Sequence, residues 1–264
     1  VTHAFADDVR AGGGRFLLGT TVQGLRHVGD RVRVQLGGQH DDLLADLVVL
    51  CAGLQSDHVA RLAGDDADPA VIPFRGEYLD LVPQRRDLVR GLVYPVPDPD
   101  YPFLGVHVTR RVDGRVDIGP NAVLALAREG YRRSDVRLTD VREVLGDTGF
   151  RALARQHWRM GAREMVGSLS RAAFVRRAQR YVPSLRTRDV VPGTTGVRAQ
   201  AVARDGSLVD DFCIRHLGRV VAVRNAPSPA ATSSMAIAEH LVDRLDEQVR
   251  PTTASAARVV RRGR

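Results

Sequence analysis

Two short runs of branched apolar residues constrain this chain most: Asp46–Cys51, DLVVLC, and Val220–Val223, VVAV. Each is continuous rather than alternating, the pattern of a strand covered on both faces. Each also stops abruptly. The first ends at Ala52-Gly53, where a residue without a Cβ lets a ligand reach the backbone. The second meets Asn225–Pro229, whose two prolines and a serine cannot continue a strand. After it, Ser228-Pro229 reads as a helix start, a capping oxygen followed by a residue with no N–H to waste. Small residues follow through Ser234, then an apolar stripe through Met235, Ile237, Ala238, Leu241, Val242 and Leu245. A helix whose first turn is small admits a flat ligand, and its free N–H groups favour an anion. Buried strand, glycine, helix is the grammar of a nucleotide-binding α/β domain.

Around the first run the segments are short. Thr2–Ala11 is helical in period and stops at Gly12-Gly13-Gly14. Arg15–Leu18, Thr21–Leu25 and Arg31–Leu36 read as strands, with Gly29-Asp30 as a hairpin turn. Ser56–Ala63 reads as a helix capped by Ser56. No G-x-G-x-x-G joins a strand to a helix anywhere in the sequence. The three glycines follow a helix, so they are not a phosphate loop. The chain opens on Val1, and the expectation is half a dinucleotide-binding domain whose first βαβ unit is absent.

The middle changes texture. Residues 71–120 are strand-rich, and Asp113-Gly114 marks a hairpin between Phe103–Val112 and Arg115–Ile118. Leu104, Val106 and Val108 share one face of it; Phe103, Gly105, His107 and Thr109 share the other. That second face sets an imidazole beside a glycine, which leaves room for a ligand. Helical periods follow at Val123–Glu129, Thr139–Leu145, Thr148–Trp158 and Met165–Tyr181, with Pro183 ending the last. Asp205-Gly206 is a turn, and Leu208–Ile214 reads as a strand returning toward Val220.

Composition excludes more than it identifies. All 39 basic residues are arginine, and the formal net charge is +8. The arginines are scattered among few aromatics, so a nucleic-acid surface is not expected. Cys51 and Cys213 lie in apolar segments without metal-type spacing, as buried thiols of a reducing compartment do. No metal site is expected. No apolar run reaches membrane-spanning length, and no signal peptide opens the chain. Arg258–Arg264 is a basic tail, expected to be disordered and able to touch anionic lipid.

Five motifs then carry a resemblance: Phe74-Arg75-Gly76-Glu77-Tyr78, Pro102–His107 (PFLGVH), Gly119–Ala125 (GPNAVLA), Gly196–Gln200 (GVRAQ) and Asn225–Thr232 (NAPSPAAT). Together they resemble the L-2-hydroxyglutarate dehydrogenase/oxidase family, FAD enzymes of the D-amino-acid-oxidase-like superfamily, over nearly all of residues 2–245. The implied fold is α/β plus α+β: a partial, Rossmann-like FAD-binding domain (1–70 and 189–248) with an inserted β-sheet substrate domain (71–188) and a tail (249–264). The family's N-terminal FAD-binding unit has no counterpart here.

The resemblance implies roles. Val22 would meet the adenine, Ala52 and Gly53 would lie beside the FAD, and Ser228, Pro229, Ala230, Ala231 and Thr232 under the flavin pyrimidine. Arg75 and Arg198 would hold substrate carboxylates as bidentate forks. Tyr78 would add a hydrogen bond, and His107 would take the hydroxyl proton. The implied reaction oxidises the dicarboxylate L-2-hydroxyglutarate to 2-oxoglutarate with hydride transfer to the flavin, in the cytoplasm or peripheral to the inner membrane face. Oxygen or a respiratory quinone would be the electron acceptor. Three alternatives stand beside it: an inactive fragment of such an enzyme, a related FAD-dependent 2-hydroxy-acid or amino-acid oxidase, and a basic binding module argued from charge alone.

Overall fold

A computed structural model describes residues 1–66, 68–96 and 105–249, with side chains described through 245. The motif residues Pro102, Phe103 and Leu104 and the tail Arg258–Arg264 lie outside the described residues. In chain order the elements begin with α1 (Thr2–Ala11), β1 (Val22–Val28), β2 (Arg31–Leu36), β3 (Leu43–Ala45), β4 (Val48–Leu50) and α2 (Ser56–Leu62). Next come β5 (Ala70–Leu81), β6 (Leu92–Val93), β7 (His107–Arg110), β8 (Val116–Gly119) and β9 (Val123–Leu124). The helices α3 (Leu138–Gly146), α4 (Thr148–Leu169) and α5 (Arg171–Ala178) follow, then β10 (Val190–Val202), β11 (Cys213–Leu217), β12 (Val220–Asn225) and α6 (Ser234–Val249).

Three sheets result. β1, β2 and β3 form an antiparallel meander turning at Gly29, whose φ of 62° needs no Cβ. β12 lies between β11 and β4, and runs parallel to β4 with Val220–Ala222 opposite Val48–Leu50. So the two apolar runs, remote in sequence, are neighbours in one sheet. Leu25, Val32, Leu50, Ala60, Val220 and Ala222 form the core that joins meander, α2 and β12. Each fully buried aliphatic side chain of this kind contributes about 1.5–3 kcal/mol.

The third sheet has the order β10-β5-β8-β7-β6, with β9 on β5 beside β8. Its spine is the long antiparallel pair β5–β10, in which Gly76 faces Gly196 and Phe74 faces Arg198. Leu81, Val108, Val116 and Ile118 pack from one face onto Phe174, Val175 and Ala178 of α5. The chain divides into two units, residues 1–225 and 226–264. The second holds α6.

Several local expectations are corrected. Arg15–Leu18 is not a strand, and Val49 in β4 is 41% exposed rather than covered on both faces. Ser56 does not cap α2; its hydroxyl donates to the Arg224 carbonyl at 3.0 Å, tying α2 to β12. Val123–Glu129 is not helical, because Val123 and Leu124 are recruited by β5, opposite Arg75 and Phe74. The expected helix over Met165–Tyr181 is broken at Ser170, whose side chain caps α5 by accepting from the Ala173 N–H. Of Leu208–Ile214 only the last two residues enter β11. In the second unit the helix begins at Ser234, not at Ser228, and residues 230–233 form turns.

Candidate active site

The sheet of β5 and β10 places the candidate residues on two different faces. Alternation along β5 sends Phe74, Gly76 and Tyr78 one way and Arg75, Glu77 and Leu79 the other. Register then extends the first face across the sheet. His107 is paired with Gly119, and the β5–β8 ladder, Leu79 with Ile118 and Asp80 with Asp117, carries on to set Gly119 beside Tyr78. A Cβ on Gly119 would lie 3.1 Å from the Tyr78 ring and 2.8 Å from the Glu77 carbonyl, at a φ of 143°. Glycine is therefore required by close packing in a row His107–Gly119–Tyr78, because the Tyr78 ring and the Glu77 carbonyl already fill the place of a Cβ. Arg198, exposed and opposite Phe74, belongs to the same face.

His107 is half-buried and stacks on Tyr94, ring centroids 4.3 Å apart at 14°. Its Nδ1 lies 3.2 Å from the Gly105 carbonyl. A carbonyl only accepts, so Nδ1 carries the proton and Nε2 keeps its lone pair. Burial pushes this imidazole below its ordinary pKa, partly opposed by the Gly105 carbonyl. Neutral, oriented and with one nitrogen available, it has the chemistry of a general base.

Arg75 does not join this row, which corrects the expectation that it meets His107 and Arg198. It is buried on the other face, where its Nε donates to Glu77 Oε1 at 3.2 Å and its Nη1 to the Arg132 carbonyl at 3.3 Å. Its fork is occupied by protein. Glu77 also accepts from Arg133 at 3.0 Å on each oxygen, from Asn121 at 3.1 Å and from the Ser168 hydroxyl at 2.7 Å. Burial raises the Glu77 pKa, but hydrogen bonds from Arg133, Ser168 and Asn121 outweigh it and hold the carboxyl below its ordinary value.

The candidate cofactor positions divide between the units. Val22 opens β1, half-buried against the first core. Ala52 and Gly53 follow the carboxyl end of β4, beside parallel β12, where open α/β sheets bind their ligands. Gly53 has φ 53° and nothing within 4 Å of where a Cβ would stand, so its backbone can be approached. That open strand end fits a dinucleotide passing over it. Ser228, Pro229, Ala230, Ala231 and Thr232 belong to the second unit, where the Thr232 hydroxyl donates to the Pro229 carbonyl at 3.0 Å.

One constellation has no local signal in the sequence. Asp57, fully buried, receives Arg128 bidentately at 2.8 and 2.9 Å, Arg61 at 3.0 Å and the Val71 N–H at 3.2 Å. Glu143 accepts from Arg128 and Arg61 at 3.2 Å and meets His58 Nε2 at 2.7 Å. Asp57, His58 and Glu143 bring ligand atoms within 4.8 Å of one another. Two guanidinium groups already occupy both carboxylates, so the cluster is an ion-pair hub, not a metal centre.

Comparison with known proteins identifies the family. The sequence profile of the family described as DAO, FAD dependent oxidoreductase, matches residues 1–244. The chain is 43% identical to a mitochondrial L-2-hydroxyglutarate dehydrogenase of Nematostella vectensis, over 94% of this chain and 58% of that protein. It is 42% identical to L-2-hydroxyglutarate dehydrogenase of Escherichia coli strain K12, over 93% and 58%, and 41% identical to the human mitochondrial protein, over 94% and 57%. The chain thus spans somewhat over half the length of these relatives. Among solved structures it resembles an L-alpha-glycerophosphate oxidase from Mycoplasma pneumoniae with FAD bound, TM-score 0.65 at 20% identity over 90% of this chain and 53% of the other. A glycerol-3-phosphate dehydrogenase from Bacillus halodurans complexed with FAD gives 0.54 at 16% identity, over 93% and 42%. At such identities these two establish the fold.

Proposed function

This chain belongs to the FAD-dependent oxidoreductase family, and on that premise we propose that it forms the substrate side of a flavin enzyme oxidising L-2-hydroxyglutarate to 2-oxoglutarate. The observation that carries this reading is the row His107–Gly119–Tyr78 with Arg198 on the same face. Relatives 41–43% identical and bearing that enzyme's name support the choice of substrate.

Oxidising a secondary alcohol removes a hydride from carbon and a proton from oxygen. FAD, when bound, supplies the hydride acceptor. Val22, Ala52, Gly53 and Ser228–Thr232 are the positions that would hold it. The chain's own residues do the rest. Arg198 binds a substrate carboxylate as a fork and fixes the hydroxyl-bearing carbon. Tyr78 donates a hydrogen bond to substrate, and burial holds its phenol above the ordinary pKa, so it remains a donor across the neutral range. His107 Nε2 takes the hydroxyl proton as the carbonyl forms. Arg75 acts indirectly, by holding Glu77 behind Tyr78.

Two substitutions test this in flavin-loaded protein. His107→Asn is expected to lower the turnover of L-2-hydroxyglutarate by about 100-fold or more, the usual worth of a positioned base. Turnover at the parental rate removes His107 from the mechanism. Arg198→Lys is expected to raise KM by about 10-fold or more although charge is kept, because an ammonium lacks the fork. A substrate panel separates the runner-up: preference for a monocarboxylic 2-hydroxy acid or an amino acid would make this a related oxidase.

The electron acceptor in this reading is a respiratory quinone or oxygen, and α4 favours contact with a membrane surface. Arg151 and Arg155 before the break at His157, and Arg159 and Arg163 after it, are exposed, as are Trp158, Met165, Val166 and Leu169. Cations beside large apolar side chains suit an anionic lipid interface. No helix among the described residues is long and apolar enough to cross a membrane. Co-sedimentation with vesicles containing anionic lipid checks the surface, and Arg155→Glu with Arg159→Glu is expected to abolish it.

A further inference from the structure

On the side of β5 that carries Arg75 and Glu77 lies a cavity of ≈ 420 Å³ whose wall includes those two with Arg132, Arg133, Arg171 and Ser168, and which also touches Tyr78. Four arginines thus border a concavity with one glutamate. Glu77 is already saturated by Arg75, Arg133, Asn121 and Ser168, as described above. Arg132 and Arg171, both exposed, have no carboxylate within ion-pair distance among the described residues. The formal charge of this wall is therefore +3, and a concave, partly apolar wall focuses its field into the cavity. Like charges held together in this way are destabilising on their own, and an anion between them removes the cost.

We propose that this cavity binds a small polycarboxylate, a di- or tricarboxylic acid, at a second site on the Arg75 and Glu77 side of β5. Its volume falls in the range of small-ligand pockets and far exceeds an inorganic anion. Leu79 and Phe174 add apolar wall for a carbon skeleton, while the arginine forks take the carboxylates in pairs. The Ser168 hydroxyl and the Arg75 guanidinium are held by Glu77, so the inner wall is rigid before anything binds. The outer wall is supplied by Arg132 and Arg171, from the segment before α3 and the first turn of α5. An occupant would join those segments to the back of the strand that carries Tyr78.

The site does not depend on flavin, so its test is independent of the proposed reaction. Isothermal titration calorimetry of the 264-residue chain with citrate, at constant ionic strength, is expected to show saturable binding with a stoichiometry of one. Arg132→Gln with Arg171→Gln should weaken it at least 10-fold, and Arg171→Gln alone at least 3-fold. Both positions are exposed and unpaired with acid, so the variants are expected to melt with the parent. Arg198→Gln should leave citrate binding unchanged, and inorganic phosphate should bind at least 10-fold more weakly than citrate. No saturable heat, equal binding by the double and single variants and the parent, loss in Arg198→Gln, or phosphate as tight as citrate would each overturn the proposal.

Discussion

Glu77 shows how one residue can organise two surfaces without touching substrate. Its side chain collects four donors on one face of β5, while its backbone N–H donates to the Asn121 Oδ1 at 2.7 Å. Replacing it with Gln removes the charge but keeps the shape. Arg75, with a side chain 8% exposed, would then be a buried cation without a counter-charge. Glu77→Gln is accordingly expected to cost about 3–5 kcal/mol, the usual result of removing one partner of a buried pair. Urea denaturation measures it, and a loss under about 1 kcal/mol would mean that water entering at the exposed Arg133 end already solvates the site. His107 makes the complementary case for pH. Its folded pKa is depressed below 6.5 by burial, so the neutral base is present above that value and lost as pH falls through the folded one. The kcat/KM profile should therefore keep its plateau below pH 6.5 before the acid limb begins, and His107→Asn should abolish that limb. The sequence singles out His107 by the motif resemblance and by a glycine two residues away on the same expected strand face, although β7 itself starts at His107. The role of Glu77 is not legible there, since its partners come from residues 75, 121, 133 and 168.

At the level of elements, short-range signals worked where the neighbours were also short-range. The meander with its Gly29 turn, the Asp113-Gly114 hairpin (Gly114 φ 81°) and the stop of α1 at Gly12 all follow local chemistry. They fail where a distant strand outbids local preference, as when β5 recruits Val123 and Leu124 out of an expected helix. They fail again at Ser228-Pro229, a fine cap by composition, where the chain makes turns and postpones α6 to Ser234. The start of α4 shows what such docking demands. A Cβ at Gly149 would lie 2.2 Å from the Ala203 carbonyl oxygen, a backbone atom that cannot step aside. Gly149 → Ala improves helix propensity by about 1 kcal/mol, yet overpacking costs typically about 1–3 kcal/mol and more against backbone. Net destabilisation is expected, with a lowered urea midpoint; a stabilised variant would mean that α4 can shift away from the end of β10.

On the scale of the whole 1–225 unit, the Asp57 hub ties together what the sequence presents as separate pieces. Asp57 sits in α2, which packs on β12; its second oxygen accepts from Val71 at the start of β5; Arg128 and Glu143 come from the segment after β9 and from α3. α2, β5 and the segment after β9 thus meet at one buried carboxylate, with α3 joined to it through Glu143 and Arg128, and no motif announces it. Burial raises the Asp57 pKa, but the bonds and charge of Arg128 with the Val71 N–H outweigh it and hold the carboxyl below 3.8. Glu143 is likewise held below 4.5 against its burial, by His58, Arg128 and Arg61. A carboxylate depressed in the folded state adds stability above its unfolded pKa, and that stability is lost as pH falls through the folded value. The hub's contribution should thus erode as pH falls from about 4 toward the lower folded values. Arg128→Gln isolates the effect. At pH 7 it leaves the buried Asp57 facing a neutral amide, with only the partly exposed Arg61 at 3.0 Å as counter-charge, and should cost up to about 3–5 kcal/mol. As pH drops below 3.8 the parent loses the same interaction by protonation, so the two stability curves should converge. Urea midpoints of parent and variant measured from pH 7 to pH 3 decide the matter. A gap that stays constant down to pH 3 would show that Arg128 stabilises by packing and by its 2.8 Å bond to the Leu54 carbonyl, not through the charge on Asp57.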